Sequence, residues 1–201
     1  MWSNLFIDWD NMPKNWTTTK LITIGGLAAL DFIIHTIASV ITVATGIIMA
    51  SGAITAIVGP LLLAVCLLLI DRFGAGFIFL TIVGILDLPL AIAGPPGFLP
   101  KILIFMSMGL IADSLYAVFK KHSKLIMVSI IGGINDIYLT SAVIAVGLLL
   151  NISAVEKVAT LVPLPIYIIA LFTVGALSGY FGRLIYQKIK NTSVVRRIQG
   201  V

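Results

Sequence analysis

The sequence predicts an all-α membrane protein, a bundle of about six transmembrane helices with both termini in the cytoplasm. Of its 201 residues, 60% are hydrophobic and only 10% are charged, which lies outside the range of soluble domains. Apolar segments of about 20 residues, enough to cross a hydrocarbon core about 30 Å thick, alternate with short Pro/Gly-rich or charged breaks. The six predicted spans are 20–43, 46–70, 74–93, 101–119, 124–149 and 164–187.

These spans leave few residues outside the membrane, so the chain is predicted to be one domain with short flanks. Trp2, Leu5, Phe6 and Trp9 recur at the spacing of one helical face, which favours an interfacial anchor over a disordered tail. The three predicted regions are an N-terminal interfacial segment 1–19, a six-helix transmembrane domain 20–190 and a basic cytoplasmic tail 191–201.

The distribution of positive charge predicts the orientation in the membrane. Of the 13 Lys and Arg residues, six spans place all but Lys101 and Lys157 on one side. The positive-inside rule makes that side cytoplasmic, together with both termini, in a multi-pass protein of the cell membrane. The net charge of +5 is then explained by a basic fringe facing the lipid bilayer, and no nucleic-acid partner is expected.

The stretch LDLPLAIAGPPGFLPK, residues 86–101, is predicted to connect the third and fourth spans outside the cell. Pro100 suits the first turn of a helix, where its missing N–H costs nothing. One interpretation is a stiff turn with Lys101 extending to water. The other is a lid over an external pocket.

Five ionisable residues fall within the spans, where each costs several kcal/mol and usually faces a cavity or a partner group. At 1.5 Å per residue, His35, Asp87 and Asp136 are predicted in the outer half of the bundle. Asp113 is predicted in the inner half, as a helix–helix or partner contact. Asp31 lies four residues before His35, so these two side chains can simply pair with each other.

The fifth span carries a stripe of small and polar residues. Ser129, Gly133, Asp136 and Thr140 share one helical face, and Asn135 adjoins it. The stripe either lines an outward cavity, where Asn135 and Asp136 hydrogen-bond a ligand, or makes hydrogen bonds between helices.

Recognisable catalytic and metal-binding patterns do not appear in the sequence. The two histidines, His35 and His122, form no HxxxH pattern and no cysteine cluster accompanies them. Neither Asp113 nor Asp136 lies in a GxGD context of the kind expected for an intramembrane aspartyl protease. The chain is therefore not expected to be an enzyme or to need a cofactor.

Small residues spaced four apart mark two places where helix backbones can approach closely in lipid. The pairs are Gly25 with Ala29 in the first span, and Gly175 with Gly179 and Ser178 with Gly182 in the last. Either seam can serve internal packing or the docking of another membrane subunit.

As a whole, the pattern resembles the substrate-binding S component of energy-coupling-factor (ECF) transporters. The resemblance covers nearly the entire chain: its length, six spans, internal termini, the seam GGLAALDF and the ending GALSGYFGRLIYQKIK. It implies that Gly25 and Ala29 contact a transmembrane coupling subunit, although a glycine stands where alanine is usual.

The resemblance also implies a small-molecule substrate, of vitamin-like kind, bound by the external loops and the outer halves of the later helices. No GxxxxGK[ST] pattern is present, so ABC-type ATPases would act as partners. The alternatives are a self-contained secondary transporter, a non-transporting scaffold and an intramembrane enzyme. The candidate substrate-binding residues are His35, Asp87, Lys101, Asn135, Asp136 and Thr140.

Overall fold

The predicted all-α membrane class is confirmed. A computed structural model describes residues 16–45, 48–151 and 164–199, and these contain helices, turns and no strands. Five of the helices are long and apolar enough to cross a membrane. The predicted interfacial face of residues 2–9 lies outside the described residues, as does Lys157.

Seven helices make up the described part of the chain. Within the stretch Pro100–Leu149, the backbone of Ser123 is not helical, with φ −166° and ψ 92°, and separates α4 from α5. The membrane-length parts of these two helices are Pro100–Phe119 and Ile126–Leu149. The other helices are α1 (Thr18–Thr45), α2 (Ile48–Ile70), α3 (Ala75–Leu86), α6 (Leu164–Ile189) and α7 (Ser193–Gln199).

The third span differs from the prediction, because α3 ends at Leu86 and not near residue 93. Its 12 residues extend only about 18 Å, well short of a hydrocarbon core. Pro89 explains the early end, because the residue before a proline is biased away from helical backbone angles. The chain continues through turns, and residues 87–99 are called the loop segment below.

Side-chain contacts bring the first turn of α1, both ends of the α2–α3 connection and the end of α4 to one end of the bundle. The Tyr116 hydroxyl on α4 donates to Asp71 Oδ1 at 3.0 Å, just after α2. At the same end, Gln199 of α7 donates to the carbonyl oxygens of Leu68 and Leu69 at 3.4 Å. The alternation of helix directions therefore agrees with the predicted grouping of cations, and Lys101 lies towards the opposite end.

The end of the chain is more ordered than a basic tail. α7 turns back against α2, with Val195 and Ile198 buried and Arg196 and Arg197 exposed. The apolar side of this short helix thus completes the core, and its two arginines add to the predicted cytoplasmic fringe.

The small residues of α6 serve internal packing. A Cβ added at Gly175 would collide with the carbonyl oxygen of Gly132 on α5, and one at Gly179 with that of Val128. One added at Gly182 would collide with the Leu61 carbonyl oxygen on α2. Only glycine permits these crossings, so α2, α5 and α6 form a closely packed unit.

The predicted orientation can be tested by cysteine labelling in intact cells with a membrane-impermeant maleimide. Pro96→Cys, exposed in the loop segment, should react, whereas Asn191→Cys, exposed between α6 and α7, should react only after permeabilisation. The native Cys66 is fully buried and should remain unlabelled. Labelling at position 191 in intact cells would reverse the orientation.

Candidate functional site

A stripe of buried polar side chains runs along one face of α1. Asp31, His35 and Ser39 follow one another at intervals of four residues, and all three are buried. Polar groups this deep in a membrane-spanning helix need partners inside the protein. The face that carries them is directed towards α3 and the loop segment.

The His35 imidazole lies between two carboxylates. Its Nδ1 is 2.6 Å from Asp87 Oδ2, and its Nε2 is 3.5 Å from Asp31 Oδ1. A carboxylate can only accept a hydrogen bond, so Nδ1 carries the proton and donates it to Asp87. Asp31 and His35 are in contact, as predicted, and form an ion pair when the imidazole is protonated, but the shorter contact joins His35 to Asp87 at the end of α3.

The interpretation in which Lys101 extends to water is wrong, because this lysine is buried. Lys101 has no exposed surface, and its Nζ donates to the carbonyl oxygens of Asp87 at 2.9 Å and Leu90 at 3.0 Å. The physical reason is the early end of α3, which leaves helix-terminal carbonyl groups inside the bundle. The ammonium group supplies the donors that lipid cannot.

The loop segment begins at Asp87, beside His35, and a hydrogen bond attaches it to α1. The Ala91 N–H donates to Ser39 Oγ at 3.2 Å, and the Gly97 N–H donates to the Leu88 carbonyl at 2.7 Å. Phe98, within the segment, is buried. The segment therefore lies beside the Asp31–His35 pair, and its role as a lid stays a prediction.

Asn135 and Asp136 form a second polar group, on α5. Both are buried, and the two amide atoms of Asn135 and Oδ2 of Asp136 have no hydrogen-bond partner among the described residues. Asp136 lies at the α5–α6 crossing, where a Cβ on Gly175 would come within 2.6 Å of Oδ2. Thr140, one turn further on, is half-buried.

The structure brings together only three of the six predicted substrate-binding residues. His35, Asp87 and Lys101 form one cluster, whereas no hydrogen bond or ion pair between described residues joins Asn135 or Asp136 to it. The second group also lies deeper. The Tyr138 hydroxyl, beside it on α5, is 2.6 Å from Ser107 Oγ, six residues or about 9 Å along α4 from Lys101.

Asp113 belongs to neither group. Its two carboxylate oxygens accept hydrogen bonds from the backbone N–H groups of Gly76 at 2.9 Å and Phe77 at 2.8 Å. These are free donors in the first turn of α3, so Asp113 caps that helix from α4 and complements its dipole. The prediction of a helix–helix contact is confirmed.

Sequence reasoning missed Ser39 as the residue on α1 that holds the loop segment. The signal was available, since Ser39 continues the spacing of Asp31 and His35 by another four residues. A side-chain hydroxyl in a helix usually bonds its own backbone, which hides such a role. Its partner, the Ala91 N–H, belongs to a backbone that was predicted to be helical.

Several buried polar atoms of the two groups have no hydrogen-bond partner among the described residues. Each costs about 1–3 kcal/mol when left unsatisfied, and native proteins retain few of them. Among the residues of the two groups, these atoms are Asp31 Oδ1 and Oδ2, His35 Nε2, Asp87 Oδ1, Asn135 Oδ1 and Nδ2, and Asp136 Oδ2. A ligand supplying hydrogen bonds to them would remove this cost.

Lys101→Met should lower the free energy of unfolding by about 3 kcal/mol, because two buried carbonyl groups lose their donor. Thermal unfolding in detergent, followed by tryptophan fluorescence, measures the change. Lys188→Met is the matched control, since Lys188 is exposed, and should cost less than about 1 kcal/mol. Equal stability of both variants would show that Lys101 does not hold the loop segment.

Comparison of the chain with protein-family models, with curated proteins and with solved structures gives no match. The assignment therefore rests on the residues and contacts of this chain alone. These identify a multi-pass, all-α membrane protein with two groups of buried polar side chains in its helical bundle.

Proposed function

We propose that the chain is the substrate-binding subunit of an ECF-type transporter. In this role it captures a vitamin-like small molecule at the outer face and delivers it inward with a coupling subunit and ABC-type ATPases. The observation that carries the proposal is the division of α1 into two faces, one polar and buried, the other composed of small and apolar residues and uncovered.

The uncovered face contains the predicted docking seam. A Cβ added at Gly25 or Gly26 would meet nothing within 4 Å, and Ala29 is exposed. Ile22 and Ile33, on the same side, are 69% and 55% exposed. The small residues of α6 pack against α2 and α5, whereas those of α1 pack against no other described helix. This difference supports a role of the α1 seam in docking another membrane helix.

The buried face supports ligand capture. It carries Asp31, His35 and Ser39 towards the loop segment, where buried acceptors remain without hydrogen-bond partners. A binding subunit requires such a site near its outer surface and a segment that can open over it. The loop segment, attached to α1 by the Ser39–Ala91 hydrogen bond, has the position of a lid.

The source of energy is assigned to partners. The sequence contains no GxxxxGK[ST] pattern, the phosphate-binding loop that ATP hydrolysis of this kind requires. Purification of the tagged chain from its native membranes should therefore recover a second polytopic membrane protein together with ATPase subunits. Recovery of the chain alone, under conditions that preserve membrane complexes, would contradict the proposal.

A self-contained secondary transporter is the second candidate, and one observation favours it. α3 stops within the bundle and continues as non-helical backbone with a buried Lys101, an arrangement that transporters use at substrate sites. Uptake into proteoliposomes containing only this chain distinguishes the two. Accumulation driven by an ion gradient without ATPase subunits would establish the secondary transporter.

Gly25→Leu or Ala29→Leu should abolish co-purification with the coupling subunit, because a bulky side chain prevents close approach of another helix to the uncovered face of α1. Ligand affinity should stay within about twofold. Ile37→Leu, on the same exposed side of α1, is the control and should retain assembly. Assembly that survives Gly25→Leu and Ala29→Leu would remove the seam from the partner interface.

Asp87→Asn and Asp136→Asn should each weaken binding of the compound extracted from the natively purified protein by roughly 5- to 150-fold, since a charge-assisted hydrogen bond becomes neutral. Calorimetry in detergent measures the dissociation constants. Asp113→Asn alters a buried carboxylate outside both groups and should leave affinity unchanged. A larger loss for Asp113→Asn would place the pocket towards the cytoplasm and favour alternating access.

A further inference from the structure

We infer that the substrate is a small organic cation with several N–H donors, and that Asp31, assigned above only to a pairing with His35, binds it directly with Asp87. This inference rests on the proposed function and names the chemical class that the α1–α3 cluster is built to accept.

The charges of the cluster do not balance when the imidazole is neutral. Asp31 and Asp87 contribute two negative charges, and Lys101 contributes one positive charge. The Lys101 ammonium is directed at the carbonyl oxygens of Asp87 and Leu90, so it makes no hydrogen bond to either carboxylate. One negative charge thus remains inside the bundle, where an unpaired charge is expensive. A ligand with a single positive charge neutralises it.

The free atoms of the cluster are all acceptors. Asp31 Oδ1 and Oδ2, Asp87 Oδ1 and His35 Nε2 are buried and have no hydrogen-bond partner among the described residues. In the neutral imidazole, whose Nδ1 donates to Asp87, Nε2 presents a lone pair. Four acceptors are complementary to a group with several N–H donors, such as a primary ammonium, an amidinium or a protonated aminoheterocycle. A quaternary ammonium has no donor to offer them.

Two simpler occupants fit these atoms less well. A metal ion requires converging ligands, and no three His, Cys, Asp or Glu side chains converge on one point in the described ranges. The imidazole separates the two carboxylates, because each lies beside a different ring nitrogen. A proton on His35 would balance the charge and pair Nε2 with Asp31 Oδ1 at 3.5 Å, but it would leave Asp31 Oδ2 and Asp87 Oδ1 without hydrogen-bond donors among the described residues.

The experiment compares isosteric probes that differ in charge. Benzamidine is a cation with four N–H donors, and benzamide is its neutral counterpart of nearly the same shape. Thermal unfolding of the full chain in detergent is measured with each probe, and with methylguanidine against methylurea. We expect the cation of each pair to raise the unfolding temperature and the neutral compound to have no effect.

The variants assign the effect to Asp31. Asp31→Asn should weaken binding of the cationic probe at least about tenfold, because a charge-assisted hydrogen bond is lost. Asp113→Asn, the same change at a capping carboxylate, should bind the probe as the unsubstituted chain does. If Asp31→Asn fails to fold, Asp31→Glu keeps the charge and should retain discrimination between benzamidine and benzamide. Equal responses to both members of a pair, or unchanged binding by Asp31→Asn, would overturn the inference.

Mass spectrometry of the compound extracted from the natively purified chain separates this inference from the proposed function. A bound organic cation with N–H groups supports both. A bound neutral or anionic compound contradicts the cation inference and leaves the binding subunit standing. If neither an extracted compound nor any probe binds, both proposals fail.

Discussion

The structure depends on one constraint: backbone that leaves the helical conformation inside a membrane protein must find its hydrogen bonds within the protein. α3 leaves it after 12 residues, and the carbonyl groups at and beyond its end point into the bundle. The ammonium group of Lys101 donates hydrogen bonds to two of them. The burial of this lysine, the course of the loop segment and the placement of Asp87 beside His35 all follow.

The same physical requirement explains why α1 carries polar residues at intervals of four. Ser39 provides the acceptor for a loop N–H, and His35 provides the donor for the Asp87 carboxylate. On its other side, α1 has small and apolar residues that no other described residue covers. One helix thus carries both the polar cluster and the uncovered apolar face on which the proposed function rests.

The fold class and most helices were predictable, because long apolar segments between charged breaks have few alternatives in a membrane. The end of α3 was not predictable, because residues 90–93, just after Pro89, are as apolar as a membrane span. Composition alone does not distinguish a helix from buried turns there. The error at α3 produced the error at Lys101: a lysine next to a helical span should extend to water, whereas a lysine next to unsatisfied carbonyl groups should not. The role of Asp113 was predictable as a contact between helices, but its actual partners are backbone N–H groups, which every sequence position offers alike. The two seams of small residues had identical spacing, and only the packing of neighbouring helices separates the internal one from the uncovered one.

α4 holds α3 at both of its ends. The Asp113 carboxylate binds the first turn, and the Lys101 ammonium binds the backbone at the last. These two residues are separated along α4 by about the length of α3 itself. Hydrogen bonds therefore join α4 to both ends of α3, and the two helices are called the α3–α4 pair below. The loop segment therefore has no hinge on that side. Its other boundary is with α1, where the Ser39 hydroxyl and the His35 imidazole make the contacts. An entrance to the polar cluster would open between α1 and the α3–α4 pair, and its width would depend on how far α1 tilts.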